Sequence, residues 1–133
     1  MQPSTGSGSV SRMALEIEVV GKESVNCELV RHLAPTTARL LLNSLPIRGR
    51  AHRYGEQFVY FETGLIVGSE KQKTQFKRGE MALLVSNGSV CVFLKDTAGQ
   101  AMNPLGRVTG NIEAIESTGP GDVMELRRPA TTA

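Results

Sequence analysis

The segment from Gly49 to Gly64, GRAHRYGEQFVYFETG, holds the residues whose types and spacing could support chemistry. A basic stretch that contains a histidine runs directly into an aromatic strand pattern, and the segment holds four aromatic residues although such residues make up only 5% of the chain. Because such a concentration is unusual in this sequence, we expect a ligand site here. Its candidate residues are Arg53, Tyr54, Glu56 and Tyr60.

The sequence does not contain the other common signatures of catalysis or metal binding. His32 and His52 are widely separated and no Cys-x-x-Cys pair is present, so we predict no metal site. The Gly-x-Ser-x-Gly elbow and the Gly-x-x-x-x-Gly-Lys phosphate loop are both missing, which disfavours hydrolase and nucleotidase functions. Glu56 and Glu62 lie too far apart along one segment to establish a convergent acid–base pair. We therefore predict no cofactor.

Length and charge limit the class of protein. The 133 residues suit one domain with one core. The net charge of +2 is too weak and dispersed to indicate general attraction to nucleic acid or membranes. Without a membrane-length apolar run or a signal-peptide pattern, we predict a cytoplasmic protein. Nucleic-acid binding through Arg48, Arg50 and Arg53 is a weaker alternative. The sequence is also compatible with a homo-oligomer. Cys27 and Cys91 are predicted to be buried free thiols.

Composition divides the chain into three regions. Residues 1–12 are rich in Ser, Gly, Thr and Pro and carry too little apolar surface to offset the entropy of folding, so we predict a disordered leader. Residues 129–133 have a similar composition and are predicted to form a disordered tail. The folded domain then covers residues 13–128.

Two hairpins and one helix have clear patterns. Apolar and polar residues alternate over 15–29 around Gly21, which predicts a first hairpin. Apolar runs on either side of Asn87 and Gly88 predict a second hairpin over 81–94. A helix over residues 35–45 is indicated by apolar residues at the spacing i, i+3, i+4 and i+7, with a proline at each end.

The other segments have weaker patterns. We predict strands at 48–54, 57–61, 65–67, 108–115 and 123–126, a polar excursion over 68–79 and a loop over 96–106. The last of these supplies Met102 and Asn103, which could line the mouth of a barrel.

Seven or eight short strands with one early helix predict a mainly β fold. A closed antiparallel β-barrel capped by the helix is favoured, because closure removes the strand edges that an open sheet would expose. A β-sandwich is the alternative, since counting strands does not distinguish a closed sheet from two packed sheets.

The order of these elements resembles the cyclophilin-like proteins of uncharacterised function in bacteria and archaea. The segments that carry the resemblance are APTTARLLLNSLP, RYGEQFVYFETG, KRGEMALLVSNGSVCVFL and NPLGRVTGNIEAI. The resemblance implies a closed antiparallel barrel with a cleft on one side. It also implies kinship in fold with peptidyl-prolyl isomerases and with cyclophilin-like domains of some amidohydrolase-type enzymes, although shared fold does not transfer activity.

A cyclophilin uses an arginine to hydrogen-bond the substrate backbone and an aromatic pocket to hold the proline ring. His52, Arg53 and Phe58 resemble the His-Arg and downstream Phe of that motif, so the resemblance makes Arg53 the catalytic candidate. The family's Gln-Gly-Gly-Asp continuation is absent, however, because residues 60–64 read YFETG, and the chain has no Trp.

Two functions follow from these observations. The first is a binding domain that holds a small polar molecule or a peptide in a barrel-side cleft without efficient catalysis, through Arg53, Tyr54, Glu56, Tyr60, Met102 and Asn103. The alternative is an enzyme, either a weak peptidyl-prolyl cis–trans isomerase that uses Arg53 or a component of an amide-processing system.

Overall fold

Nine strands and two α-helices make up residues 11–129, the part of the chain that the computed structural model describes. They are β1 Arg12–Val19, β2 Ser24–Val30, α1 Pro35–Ser44, β3 Ile47–Tyr54, β4 Phe58–Glu62, β5 Lys73–Phe76, β6 Glu80–Leu84, β7 Ser89–Phe93, β8 Thr97–Val108, α2 Glu113–Glu116 and β9 Val123–Arg127. A 3-10 turn, Arg31–Leu33, precedes α1. No helix of residues 11–129 has the length and apolar character needed to cross a membrane.

The predicted leader and tail lie mostly outside the described residues. The structure describes neither residues 1–10 nor residues 130–133, so disorder there stays a prediction. Arg12, the last residue of the predicted leader, already belongs to β1 and pairs with Val30 of β2.

Eight of the nine strands form a closed antiparallel ring. The order is β2, β1, β9, β3, β4, β7, β6, β8, and β8 then pairs with β2 to close it. Strand β5 stands outside the ring and pairs with the first half of β8. The predicted closed antiparallel barrel with one main helix is confirmed, and the sandwich alternative is wrong.

Both predicted hairpins form as the sequence indicates. In the first, Leu15 of β1 pairs with Cys27 of β2, and Gly21 takes a positive φ of 82° at the turn. In the second, Leu84 of β6 pairs with Ser89 of β7, and Gly88 has a φ of 66°. Glycine is favoured at both turns because other residues pay a steric cost for positive φ.

Helix α1 packs one face against the barrel core. Pro35 occupies its first turn, where the missing backbone N–H costs nothing. Ala38, Leu41 and Leu42 form the buried face, and Leu41 is fully buried within the main apolar cluster. The helix thus covers apolar side chains that the ring of strands alone would leave open to water.

Apolar side chains occupy both faces of the barrel wall at β4, β6 and β7. On β4, Val59 and Phe61 belong to the main cluster inside the barrel, whereas Phe58 belongs to a second cluster. Side chains alternate across a strand, so this second cluster lies on the outer wall. All five residues of β7 are buried, which requires cover on both faces.

The opposite part of the outer wall is charged. Arg127 of β9 contacts the carboxylates of Glu16, Glu18 and Glu125, at 3.1 Å for Glu16 and 3.2 Å for Glu125. These residues alternate with the apolar residues that face the core, as expected for strands with one solvated face. One side of the wall is therefore suited to water and the other to an apolar contact.

The predicted loop over residues 96–106 is wrong, because residues 97–108 form β8, the longest strand of the barrel. Gly99, Pro104 and Gly106 are of residue types that usually interrupt strands, yet all three lie within β8. Pro104 lies beside a bulge, since Met81 pairs with Gly106 while Ala82 pairs with Pro104. A proline is tolerated at a bulge because a ladder hydrogen bond is already missing there.

Two further strand predictions are wrong. Of residues 108–115, only Val108 is in a strand, and a turn leads into α2. Thr109 and Gly110 both donate their backbone N–H to the carbonyl of Asn26, which turns the chain away from the sheet. The brief strand predicted at 65–67 is absent, since residues 63–72 have no regular structure. The segment 68–79, predicted as a polar excursion, contains the short strand β5.

Both cysteines are free and buried, as predicted. Cys27 lies in the core and Cys91 in the outer apolar cluster. Burial raises the pKa of each thiol to about 12, and the charges of Glu16 and Glu28 add to the effect at Cys27. Neither thiol therefore forms a nucleophilic thiolate near neutral pH.

We predict that Gly106→Ala strongly destabilises the barrel. A Cβ at this position would lie 2.0 Å from the carbonyl oxygen of Glu28 in β2, so the seam between β8 and β2 would have to widen. Overpacking of this kind costs about 1–3 kcal/mol or more in the free energy of unfolding. The measurement is the urea midpoint.

Gly68→Ala is the matched control for this substitution. A Cβ at Gly68 would meet no atom within 4 Å. We expect its free energy of unfolding to change by less than about 0.5 kcal/mol. Equal stability of the two variants would show that the seam at Gly106 tolerates a side chain.

Candidate ligand-binding site

A cleft of about 430 Å³ opens on the apolar side of the outer wall, and we call it the outer cleft. It lies between the β3–β4 turn on one side and β5 with the first half of β8 on the other. Its lining residues are Tyr54, Gln57, Phe58, Thr74, Phe76, Phe93, Thr97, Ala98, Gly99, Gln100 and Met102.

Stacked aromatic rings form the apolar wall of the outer cleft. The ring centroids of Phe76 and Phe93 are 4.7 Å apart and nearly parallel, and those of Phe58 and Phe93 are 5.1 Å apart. Tyr54 stacks on Phe58 at 5.0 Å and is 56% exposed, whereas Met102 beside them is buried. Because the rings hold one another, this wall is largely formed before any ligand arrives.

The polar side chains that line the outer cleft are neutral. Gln57, Thr74, Thr97 and Gln100 offer amide and hydroxyl groups that can donate or accept hydrogen bonds. Apart from the Tyr54 phenol, no lining residue within the described range 11–129 is ionisable, and no lysine, arginine, histidine or carboxylate from that range contributes. The cleft is thus suited to holding an uncharged polar group beside an apolar one.

Strand alternation separates Arg53 from the outer cleft. His52 pairs with Tyr60 and Tyr54 with Phe58 on the outer face, whereas Arg53 pairs with Val59 on the inner face. The Arg53 Nη1 donates to the carbonyl oxygens of Glu116 and Thr118, both at 2.8 Å. The guanidinium therefore binds the end of α2 instead of facing the aromatic rings.

A second arginine also holds α2. Arg78 donates to the Glu116 carboxylate and lies 3.6 Å from Glu113. The hydrogen bond from Arg78 keeps the pKa of the Glu116 carboxyl below its ordinary value. Both arginines thus bind this one-turn helix, so Arg53 has a structural role in holding α2 against the barrel.

Asn103 also lies away from the outer cleft, in a buried polar network. Its Oδ1 accepts the backbone N–H of Glu70 at 2.9 Å. Its Nδ2 donates to the Thr37 hydroxyl at 3.0 Å and to the Gly68 carbonyl at 2.9 Å. The side chain thus fixes the irregular segment before β5 against α1.

Glu70 completes this network by capping α1. The residue before the helix, Ala34, has no side chain that could cap it. The Glu70 carboxylate instead accepts the backbone N–H groups of Thr36 and Thr37 at 2.9 and 2.8 Å, and the Thr37 hydroxyl at 2.7 Å. A carboxylate at this position also interacts favourably with the helix dipole.

The hydrogen bonds determine the protonation of Glu70. Desolvation by itself would raise the pKa of its carboxyl group. The bonds from the Thr37 hydroxyl and from the two backbone N–H groups outweigh desolvation, so the pKa lies below its ordinary value of 4.5. The negative charge at the helix N-terminus is therefore kept at mildly acidic pH.

Of the six binding residues proposed from the sequence, the structure brings Tyr54 and Met102 together in the outer cleft. Glu56 is at the adjacent β3–β4 turn, with its side chain 85% exposed and 3.8 Å from Arg53. Tyr60 packs against the outer apolar cluster and stacks on His52 at 5.2 Å. Binding roles for all six remain predictions.

Sequence reasoning missed most of the cleft wall. The sequence indicates Phe58 only through its resemblance to the downstream Phe of the cyclophilin motif, and Phe76 is not among the predicted binding residues. The signal that could have identified Phe76 is the alternation in Lys73–Phe76, where Thr74 and Phe76 share a face. Phe93 belongs to an unbroken apolar run, from which an outward-facing position cannot be recognised.

The other site hypotheses have less support in the structure. Among residues 11–129, no group of three or more His, Cys, Asp or Glu side chains could hold a metal ion. Arg48 and Arg53 lie on opposite faces of β3, and Arg48 is 3.8 Å from Glu125. The three arginines considered for nucleic-acid binding therefore do not form one surface.

The fold agrees with what comparison to known proteins shows. The profile of the family described as Cyclophilin-like matches residues 13–127, nearly the whole chain. This protein therefore belongs to the cyclophilin-like family. No curated protein matches the sequence.

Two solved structures resemble the barrel. The solution structure of the hypothetical protein AF2241 from Archaeoglobus fulgidus is 25% identical, with a TM-score of 0.74, and the match covers 90% of this chain and 96% of that one. The structure of McbB in complex with tryptophan is 19% identical, also with a TM-score of 0.74, and the match covers 90% of this chain but only 46% of McbB.

We predict that Glu70→Gln lowers the free energy of unfolding by about 1 kcal/mol near neutral pH, because the charged helix cap is lost. The depressed pKa of Glu70 means that its stabilisation is complete above the ordinary value of 4.5 and is lost as the pH falls through the folded-state value. The gap between wild type and variant should therefore shrink in acid. Urea midpoints at about pH 7 and about pH 3 measure it.

Glu62→Gln serves as the control, because Glu62 is exposed and forms no ion pair among residues 11–129. Its effect should stay below about 0.5 kcal/mol at either pH. A Glu70→Gln defect of the same size at both pH values would contradict a charged cap.

Proposed function

We propose that this cyclophilin-like domain binds a small polar molecule or a peptide in the outer cleft without catalysing a reaction on it. The observation that carries the proposal is the composition of the cleft. A stacked aromatic wall stands beside neutral amide and hydroxyl groups in a space of about 430 Å³. Ligand sites in proteins commonly have this size and this mixture of apolar wall and few polar groups.

The cleft favours a ligand with an uncharged polar part and an apolar group. An aromatic or aliphatic ring can pack against the buried part of the lining, which consists of Phe58, Phe76, Phe93 and Met102. A charged group would lose hydration, and no charged side chain among residues 11–129 lines the cleft to compensate for that loss. An amide or a peptide bond fits these requirements.

The position of Arg53 argues against isomerase activity. Catalysis of prolyl isomerisation needs a donor directed at the substrate amide, beside the pocket that holds the ring. The Arg53 guanidinium instead donates to two backbone carbonyls on the inner side of β3. Among residues 11–129, no arginine lines the outer cleft.

The tryptophan in the McbB structure belongs to McbB. At 19% identity that likeness concerns the fold, and this chain corresponds to less than half of McbB. The proposal for a ligand therefore depends on the cleft of this protein alone.

Methionine methyl signals offer a direct test of cleft binding. The chain has five methionines, so a spectrum of the protein with ¹³C-labelled Met methyl groups contains few signals and each can be followed separately. We expect N-acetyl-proline methylamide or N-acetyl-phenylalanine methylamide to shift the Met102 signal saturably. Met81 and Met124 face the barrel interior and should not move, which makes them internal controls.

A matched pair of variants locates the binding. Ala98 lines the outer cleft, and Ala98→Trp should weaken probe binding by about tenfold or more by filling the space. Ala101 is exposed on the same strand but outside the lining, so Ala101→Trp should leave the affinity unchanged. An unchanged Met102 signal with every probe, or equal effects of the two variants, would refute the proposed site.

Arg53→Ala separates the scaffold role from the catalytic alternative. We expect a loss of about 2 kcal/mol in the free energy of unfolding, because two carbonyls lose a charged donor. Arg50→Ala, which removes an exposed arginine of the same strand, should cost little. In a coupled peptide assay, neither variant should change the rate of prolyl isomerisation, which stays near the uncatalysed rate. A wild-type acceleration that collapses in Arg53→Ala would establish the enzyme instead.

A further inference from the structure

A second concave surface lies at the side of α1 and carries a different chemistry. It is a groove of about 340 Å³ lined by Arg31, Pro35, Arg39, Leu42, Asn43 and Arg128, and we call it the arginine groove. It shares no residue with the outer cleft.

Three separate parts of the chain bring arginines to this groove. Arg31 comes from the 3-10 turn, Arg39 from the middle of α1, and Arg128 from the residue after β9. Within α1, the lining positions 35, 39, 42 and 43 follow the spacing of one helix face. Each of the three arginines comes from a different element, so it is the fold that brings them together.

Ion pairing distinguishes these arginines from the others. Within residues 11–129, six of the ten arginines form ion pairs with carboxylates, namely Arg12, Arg48, Arg53, Arg78, Arg107 and Arg127. Of the remaining four, Arg31, Arg39 and Arg128 all line the arginine groove. The contact made by Arg31 Nη2 is to the Met13 sulfur at 3.5 Å, which does not neutralise its charge. Guanidinium groups brought together without a counter-charge repel one another, and a bound anion reduces this electrostatic repulsion.

We propose that the arginine groove binds a small organic oxyanion that carries at least two negative charges. Guanidinium groups match the geometry of phosphate and carboxylate oxygens, and several of them can share one multivalent group. Pro35 and the edge of the buried Leu42, which is 8% exposed, supply an apolar surface in the same groove, so the anion should have a hydrocarbon part. Asn43 adds an amide that can bond a further oxygen. The shared chemistry is that of a phosphate ester or a polycarboxylate.

Calorimetric titration of the full chain tests this site with defined probes. The phosphate arm compares phenyl phosphate with inorganic phosphate, and the carboxylate arm uses citrate. We expect saturable binding of phenyl phosphate, citrate or both, with phenyl phosphate tighter than inorganic phosphate because of the apolar surface. Affinity should fall when the salt concentration rises from about 50 to about 300 mM, since the contacts are between charges at the surface.

Two substitutions that remove the same charge locate the site. Arg39→Gln should weaken binding of the tighter probe by about tenfold or more, because Arg39 lines the groove and forms no ion pair within residues 11–129. Arg50→Gln removes an exposed arginine outside the groove and should change the affinity by less than about twofold. The thermal midpoint of each variant confirms that it is folded.

The outcomes separate this proposal from its alternatives. Saturable binding that is lost in Arg39→Gln and kept in Arg50→Gln supports the site. Equal losses in the two variants would show a general charge effect and would overturn it, as would the absence of saturable binding by any probe. Tighter binding of a short DNA duplex than of any small anion would also overturn it in favour of a nucleic-acid surface.

Discussion

The barrel depends on the close approach of β8 to β2. Gly106 lets the two backbones meet, since a Cβ there would lie 2.0 Å from the Glu28 carbonyl oxygen. The same strand pairs with β6 beside this seam and with β5 near its start. Closure of the ring and one wall of the outer cleft are therefore built on one strand. A structure that lost the seam would lose the support of the cleft as well.

The polar network around Asn103 links the helix to the cleft. Residues 63–72 have no regular structure, yet Glu70 and Gly68 within them are bound to Thr37 and Asn103. This attachment fixes the chain just before β5, whose Phe76 completes the aromatic wall. A buried amide with all its groups paired is well suited to such a role, because leaving any of them unpaired would be costly.

The sequence was sufficient for the elements whose patterns are local. The hairpin around Gly88 and the helix that begins at Pro35 follow from turn chemistry and apolar spacing. The number of short strands predicts a mainly β fold, and the closed barrel was favoured because closure removes exposed strand edges. β8 was missed because its glycines and proline serve a bulge and a close approach that exist only after the strands pair. The orientation of Arg53 was missed for a related reason. Its neighbours in sequence are aromatic, but alternation sends it to the other face, where its partners come from α2.

The two apolar layers of the wall are separate clusters that share the same strands. Val90 and Val92 of β7 fill the interior, whereas Cys91 and Phe93 between and after them belong to the exterior layer. Interior packing sets the closed ring, and the exterior side chains set the shape of the cleft. Exchange of exterior residues alone can thus reshape the cleft while the ring keeps its own stabilising contacts. The two surfaces of one strand can accordingly diverge separately in sequence, because the side chains of each pack in their own cluster.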